Sequence, residues 1–249
     1  DSVSPETRAL FYFEEGSGNA VNDSSGFGNN GTLHEEYSWV DGYQSDHAVY
    51  FNGDPISGSR RGYVAISSNE SLNNFDNAIT LEATVKTSLN TNHMAVVAKP
   101  GNNSMLYIAG DMPSFILNFS DNVPRAVSAG SYTVPDDVWI TIKGTYDGEV
   151  MRIYINGVLR GENYVGLEMN IGNGDFWIGA NAEGPGANYL FRGTIDNVKI
   201  SRGDSVTGFS AEYITTNYEY DNKGNLEKQS LPYVENTYLY TTPTWDLSI

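Results

Sequence analysis

Two lysines sit inside strand-like stretches, where a charge is out of place, and they are the first candidates for chemistry. Lys99 ends MAVVAK (Met94 to Lys99), in phase with Val97 and Ala95. Lys143 stands in WITIKGT, in phase with Trp139 and Thr141. A strand lysine either faces water or projects into a ligand groove, and the solvated version is the commoner. Arg61, His93 and Arg125 fall in or near loops and could line a groove's rim, while Asn118, within SFILNF, adds a hydrogen-bonding amide. Lys, Tyr, His and Arg together can supply a base, an acid and a partner for a carboxylate. That set suffices to abstract the proton next to a uronate carboxylate and expel a sugar oxygen. Lysine acts as a base only if burial or a like charge lowers its pKa.

Other reaction classes are disfavoured. A retaining glycosidase needs two carboxylates close together, and no Glu-x-Asp-x-x-Glu triplet is present; Glu82 stands alone on its strand. Only three histidines occur (His34, His47, His93), and there is no Gly-x-Ser-x-Gly elbow for a serine triad. Clustered His and carboxylates for a metal-dependent hydrolase are missing as well. With no cysteine, zinc-thiolate sites, disulfides and a Cys nucleophile are ruled out. Asp and Glu number 31 against 14 Lys and Arg, a net charge of −17 that argues against nucleic acid and anionic membranes as partners. No apolar run is long enough to span a bilayer. The acidic, cysteine-free composition, rich in Asn, Gly and Tyr, fits an exported bacterial protein, and secretion is the expectation.

The elements that must position these residues read as strands. Val138 to Arg160 (VWITIKGTYDGEVMRIYINGVLR) contains a two-residue hairpin signal at Asp147-Gly148 and another turn at Asn156-Gly157, which makes an antiparallel meander. Ile79 to Lys86 alternates apolar (Ile79, Leu81, Ala83, Val85) with polar (Thr80, Glu82, Thr84, Lys86). Ala9–Phe13, Ala48–Asn52, Gly62–Ile66, Met94–Lys99, Met105–Ala109, Ser114–Phe119, Asp175–Gly179 and Gly193–Ile200 are further short strands. Many short strands with frequent turns and no long helix predict an all-β fold, a two-sheet antiparallel sandwich of jelly-roll type. Asp23 to Thr32 (DSSGFGNNGT) offers oxygen ligands suited to Ca²⁺, although on local composition a loop capping its own backbone is favoured. From Asp204 the chain becomes tyrosine-rich, with one helical turn expected over Phe209–Asn217. The expected organisation is a sandwich over residues 1–203 and an extension over 204–249 packed on it.

In the order found, FYFEEGSGNAVNDSSGFGNNGTL (Phe11 to Leu33), AVYFNG (Ala48 to Gly53), ITLEATVKT (Ile79 to Thr87), VVAKPGN (Val96 to Asn102), TYDGEVMRIYINGVL (Thr145 to Leu159) and FRGTIDNVKISR (Phe191 to Arg202) resemble the laminin-G-like, concanavalin A-like jelly-roll family, particularly its bacterial secreted branch. The extension after Arg202 departs from that pattern. The resemblance implies ligands on a concave sheet and a structural Ca²⁺ on the opposite side, held by Glu14, by oxygens around Asn29 and Asn30, and by Asp196. More weakly, the chain resembles jelly-roll polysaccharide lyases acting on uronate polymers such as ulvan, some of which use a Lys and Tyr pair. That likeness implies Lys99 and Tyr218 as base and acid in either order, with Tyr213 and Tyr220 as rivals for Tyr218. Arg61, His93, Asn118, Arg125 and Lys143 would then bind substrate. The expectation is a secreted, monomeric polysaccharide lyase with no catalytic cofactor. The alternative is a non-catalytic carbohydrate-binding module that stacks sugars on Trp39, Tyr107 or Trp177.

Overall fold

A computed structural model describes residues 6–53, 62–87, 93–101, 104–181 and 189–203, together with the backbone of 218–220 and 226–229. Its strands form two antiparallel sheets of eight. Sheet A runs β14 (Val158–Tyr164), β13 (Val150–Ile155), β12 (Ile140–Tyr146), β7 (Ile79–Thr87), β16 (Arg192–Arg202), β5 (Ala48–Asn52) and β4 (Tyr37–Val40), with β1 (Glu6–Phe11) also paired to β16. Sheet B runs β11 (Arg125–Ser128), β10 (Met112–Leu117), β9 (Ser104–Ala109), β8 (His93–Lys99), β15 (Phe176–Ile178), β6 (Tyr63–Ile66), β3 (Gly31–His34) and β2 (Ala20–Val21). This is the all-β sandwich that the alternation predicts.

Period-two patterning explains the layering. In β7, Ile79, Leu81, Ala83 and Val85 are fully buried in a core shared with Leu106, Phe115 and Leu117 of sheet B, while Glu82 and Lys86 face out. The sheets approach closely at Gly144 of β12, where a Cβ would stand 2.4 Å from the Phe115 ring. Any larger residue there would overpack the core.

The two expected hairpin turns differ. Asn156 (φ 50) and Gly157 (φ 78) form a two-residue turn closed by the Ile155–Val158 pair, with both central residues left-handed. Asp147-Gly148 belongs instead to a longer loop, because the flanking pair is Tyr146–Met151. There the Asp147 carboxylate accepts the backbone N–H groups of Glu149 (2.9 Å) and Val150 (2.7 Å), so a side-chain cap replaces the tight turn.

β8 carries the irregularity with the largest consequence. Its register on β9 shifts between Ala95 and Val97, so one extra residue is accommodated. Val96 and Val97 both reach the core, whereas Ala95 and Ala98 belong to a separate cluster with Met105 on the outer face. One short helix, α1 (Glu70–Asn73), precedes β7 and is capped by the Asn69 side chain, which accepts the Ser71 N–H. Among the described residues no helix is long and apolar enough to cross a membrane. The chain divides into units over 1–205 and 206–249; within the second, β17 (Tyr218–Tyr220) pairs antiparallel with β18 (Leu226–Gln229). The helical turn expected over Phe209–Asn217 lies outside the described residues.

Candidate functional site

Lys99 is fully buried and turned inward. Simple alternation places it in phase with both Ala95 and Val97; the β8 irregularity parts these two, and Lys99 keeps the phase of Val97, on the core side. Its Nζ donates to the Leu72 carbonyl (2.7 Å) and Asn73 Oδ1 (2.7 Å) and lies 4.8 Å from the centroid of the Phe176 ring. Burial lowers its pKa to about 8, with Asp175 opposing the shift. A lowered lysine pKa is what a base requires. Here, however, the ammonium holds the otherwise unpartnered C-terminal carbonyl of α1 and is enclosed by protein. The geometry is that of a clamp between α1 and β8, and the expected place of Lys99 in an open groove is corrected accordingly.

The remaining expected residues do not converge. Lys143 faces outward from sheet A, 4.5 Å over the Tyr154 ring, and is paired across strands with Glu82. Arg125 starts β11 in sheet B and is committed to Asp121 through two hydrogen bonds of 2.8 and 2.6 Å. Asn118 follows β10, where its backbone N–H donates to Ser104 Oγ (3.3 Å) and its carbonyl accepts from Asn170. His93 is exposed at the start of β8, beside Tyr189 and Tyr107 at ring separations of 5.5 and 6.2 Å. Lys99, Arg125 and Lys143 therefore share no single cleft. Arg61 and the Tyr213 rival lie outside the described residues, and of Tyr218 and Tyr220 only the backbone, in β17, is described.

The most distinctive surface is the outer face of sheet B. His34, Tyr63 and Trp177 stand on adjacent strands β3, β6 and β15 and stack in a ladder, with centroids 5.0 Å and 4.4 Å apart and planes within 24°. Tyr63 is buried between its two neighbours, while His34 and Trp177 are part-exposed at the ends of the ladder. Across β8, the apolar floor of Ala95, Ala98 and Met105 carries Tyr107, Ile116 and Tyr189. Burial pushes the Tyr107 phenol up, which keeps it a neutral hydroxyl. Of the aromatics named from the sequence, Tyr107 and Trp177 belong to this face. Trp39 packs against the core and donates its Nε1–H to the Gly18 carbonyl at 3.0 Å. Nothing in the sequence alone groups His34, Tyr63 and Tyr189 with Tyr107 and Trp177. Their signal is positional: each lies at an outward strand position or flanks one, but the partners are far apart in sequence.

A second feature is an open cleft lined by Tyr12, Glu14, Tyr43, Ser45, Thr84 and Asn197, among others. Asp196 is buried beside it, one oxygen accepting from the Tyr43 N–H (2.8 Å) and the Ser45 hydroxyl (2.9 Å). Burial raises its pKa and the nearby Glu14 adds to the rise, while those hydrogen bonds pull the other way. Phe13, Gln44 and Asn197, all lining this cleft, have φ of 56, 56 and 47, a concentration of left-handed non-glycine residues. Asn30 belongs elsewhere: its Oδ1 accepts the Asp23 N–H at 2.8 Å. Asp23 itself is saturated by Leu10, Ser25 and Asn29 donors, so the Asp23–Thr32 loop caps its own backbone. Among the described residues no three His, Cys, Asp or Glu cluster as metal ligands. Glu14 and Asp196, with hydroxyl and amide oxygens around them, nevertheless form an all-oxygen set that fits a hard cation.

The comparisons place this architecture. Residues 57–204, more than half the chain, match a family model described as the concanavalin A-like lectin/glucanases superfamily. The chain belongs to that superfamily. Domain 4 of AbnA, a GH43 extracellular arabinanase from Geobacillus stearothermophilus, solved in complex with arabinotriose, is similar at 19% identity and a TM-score of 0.56, covering 81% of this chain and 94% of that one. The binding domain of Paraclostridial Mosquitocidal Protein 1 is similar at 15% identity and a TM-score of 0.61, covering 80% of this chain. The binding domain of Botulinum Neurotoxin DC, solved in complex with SialylT, gives 15% identity and a TM-score of 0.60, also over 80% of this chain. The chain spans about half the length of these toxin domains, 49% and 48% respectively. At such identities the likeness establishes the fold alone. No curated protein matches the sequence.

Proposed function

We propose that the chain is a carbohydrate-binding module whose sugar face is the outer surface of sheet B. The carrying observation is the His34–Tyr63–Trp177 ladder beside the Tyr107–Tyr189 cluster on an apolar floor. Aromatic rings offer C–H-rich sugar faces a large contact area at little entropic cost. AbnA domain 4, similar in fold, was solved with an arabinose oligomer, which supports the ligand class. The reading extends to a secreted, monomeric chain whose Glu14–Asp196 cleft takes a stabilising Ca²⁺. The ion would offset the buried negative charge of Asp196 and join the chain following β1 to β16; its contribution is stability.

Gel retardation by immobilised polysaccharides tests the binding. Retardation that Trp177→Ala removes, with folding intact, supports the reading; retardation that survives both Trp177→Ala and Tyr107→Ala would move the sugar to another surface. The lyase reading keeps one observation in its favour, the Lys143–Tyr154 pair on sheet A. Ultraviolet absorbance during incubation with ulvan and other uronate polymers decides it, because elimination creates a conjugated double bond that binding does not. A rise that Lys143→Ala abolishes would replace the binding module with an enzyme.

A further inference from the structure

The outward positions of sheet B, read strand by strand from the register, carry no Asp, Glu, Lys or Arg. From β11 to β3 they are occupied by serine, alanine, isoleucine, methionine, tyrosine, tryptophan, threonine and histidine. In a chain with 45 charged side chains (31 acidic, 14 basic) a charge-free face of eight strands is selective. Several basic residues of the described structure are engaged in ion pairs or enclosed. Arg125 is bound to Asp121, Arg152 to Asp147, Lys199 to Glu82, Arg202 to Glu6 and Asp76, and Lys99 is enclosed.

Resting on the sugar-face reading, we infer that the ligand is a neutral glycan, stacked against Trp177 and bounded by Tyr107 and Tyr189, and that uronate and sulfated polymers are excluded. Recognition of a carboxylate or sulfate depends on charge-assisted hydrogen bonds from Arg or Lys, and none stands on this face among the described residues. A polyanion approaching a protein of net charge −17 also meets long-range repulsion, which only a local basic cluster would reverse. Neutral sugars need neither. Their C–H faces stack on aromatic rings, and their hydroxyls exchange water for neutral partners such as the Tyr107 phenol.

The test is affinity electrophoresis of the full chain through gels containing debranched arabinan, galactan or laminarin, against polygalacturonate, alginate or ulvan, each at low and high salt. The expected result is retardation by at least one neutral polymer, independent of salt, weakened at least tenfold by Trp177→Ala and partly retained by Trp177→Phe. Retardation confined to the anionic polymers, or equal on both groups, overturns the neutral-ligand inference while leaving a sugar site in place, and weakening of that binding by salt would identify basic contacts. Retardation by none of the six overturns the sugar-face reading and this inference together.

Discussion

The outer faces of the two sheets come from one chain and one folding pattern, yet they are built for different surroundings. On sheet A the outward positions of β12, β7 and β16 carry Lys143, Glu82 and Lys199 side by side, with Lys199 3.3 Å from Glu82 and Arg152 bonded to Asp147 nearby. On sheet B the corresponding rows hold stacked rings and small apolar side chains. Alternating-sign charges across strands keep a surface soluble and discourage contact with other molecules. An uncharged aromatic surface of this extent is not needed for solubility, and it marks contact. The lesson is that both faces satisfy the same inward alternation, so the core says nothing about which one binds; the outward residues decide it.

The sharpest way to break this comparison concerns Lys99, which belongs to neither face. Lys99→Ala is expected to cost about 2–4 kcal/mol in denaturant unfolding, because it leaves a cavity and an enclosed carbonyl without a donor. A fully stable variant would mean the ammonium is not the clamp described. Gly144→Val, between the sheets, is expected to destabilise by about 1–3 kcal/mol through collision with Phe115; unchanged thermal unfolding would contradict that close approach. Trp177→Ala should separate the faces: sugar binding falls at least tenfold, while stability changes far less than for Lys99→Ala. On sheet A, Glu82→Gln is expected to change stability by less than about 1 kcal/mol, since a part-exposed surface pair contributes little, and to leave binding unaltered. A loss of binding there would transfer the site to sheet A.

A smaller effect sharpens the Lys99 assignment through pH. Burial lowers its folded pKa from 10.5 to about 8, so the folded chain holds this proton less tightly than the unfolded chain. Between about pH 8 and pH 10.5 the unfolded state binds more protons, and the contribution of Lys99 to stability rises with pH. Measured against Lys99→Met over that window, the wild-type chain should gain in relative stability as pH increases. A flat or falling difference would show that the lysine is solvated.

Much of the architecture is legible in the sequence because it depends on local pattern. The alternation of Ile79 to Lys86 and the Asn156-Gly157 turn need only a few neighbouring residues, and the structure carries both. Asp147-Gly148 misleads because the aspartate cap competes with the tight turn, and both use the same two residues. The extra residue in β8 is invisible in MAVVAK, where Val96 and Val97 look like ordinary alternation partners until the strand is paired with β9. The ladder is hidden for another reason: His34, Tyr63 and Trp177 are distant along the chain and meet only through the order β3, β6, β15. The charge-bearing residues, being scarce in an acidic chain, draw attention first, but most of them form ion pairs or clamps. The binding candidates carry no charge.

The extra residue in β8 acts as a parity setting for the strand. Val96 and Val97 both turn to the core, so Ala95 and Ala98 share the outer face although they are three residues apart. Ala98 thereby floors the aromatic face and Lys99 fastens the helix beneath. Were the same residues paired with β9 without the irregularity, every residue beyond Ala95 would exchange faces, turning Lys99 outward and Ala98 into the core. Deleting Val96 would instead take away the irregularity and leave both placements as they are. The uncharged face and the α1 anchor therefore depend on one inserted residue that keeps the two halves of the strand in phase.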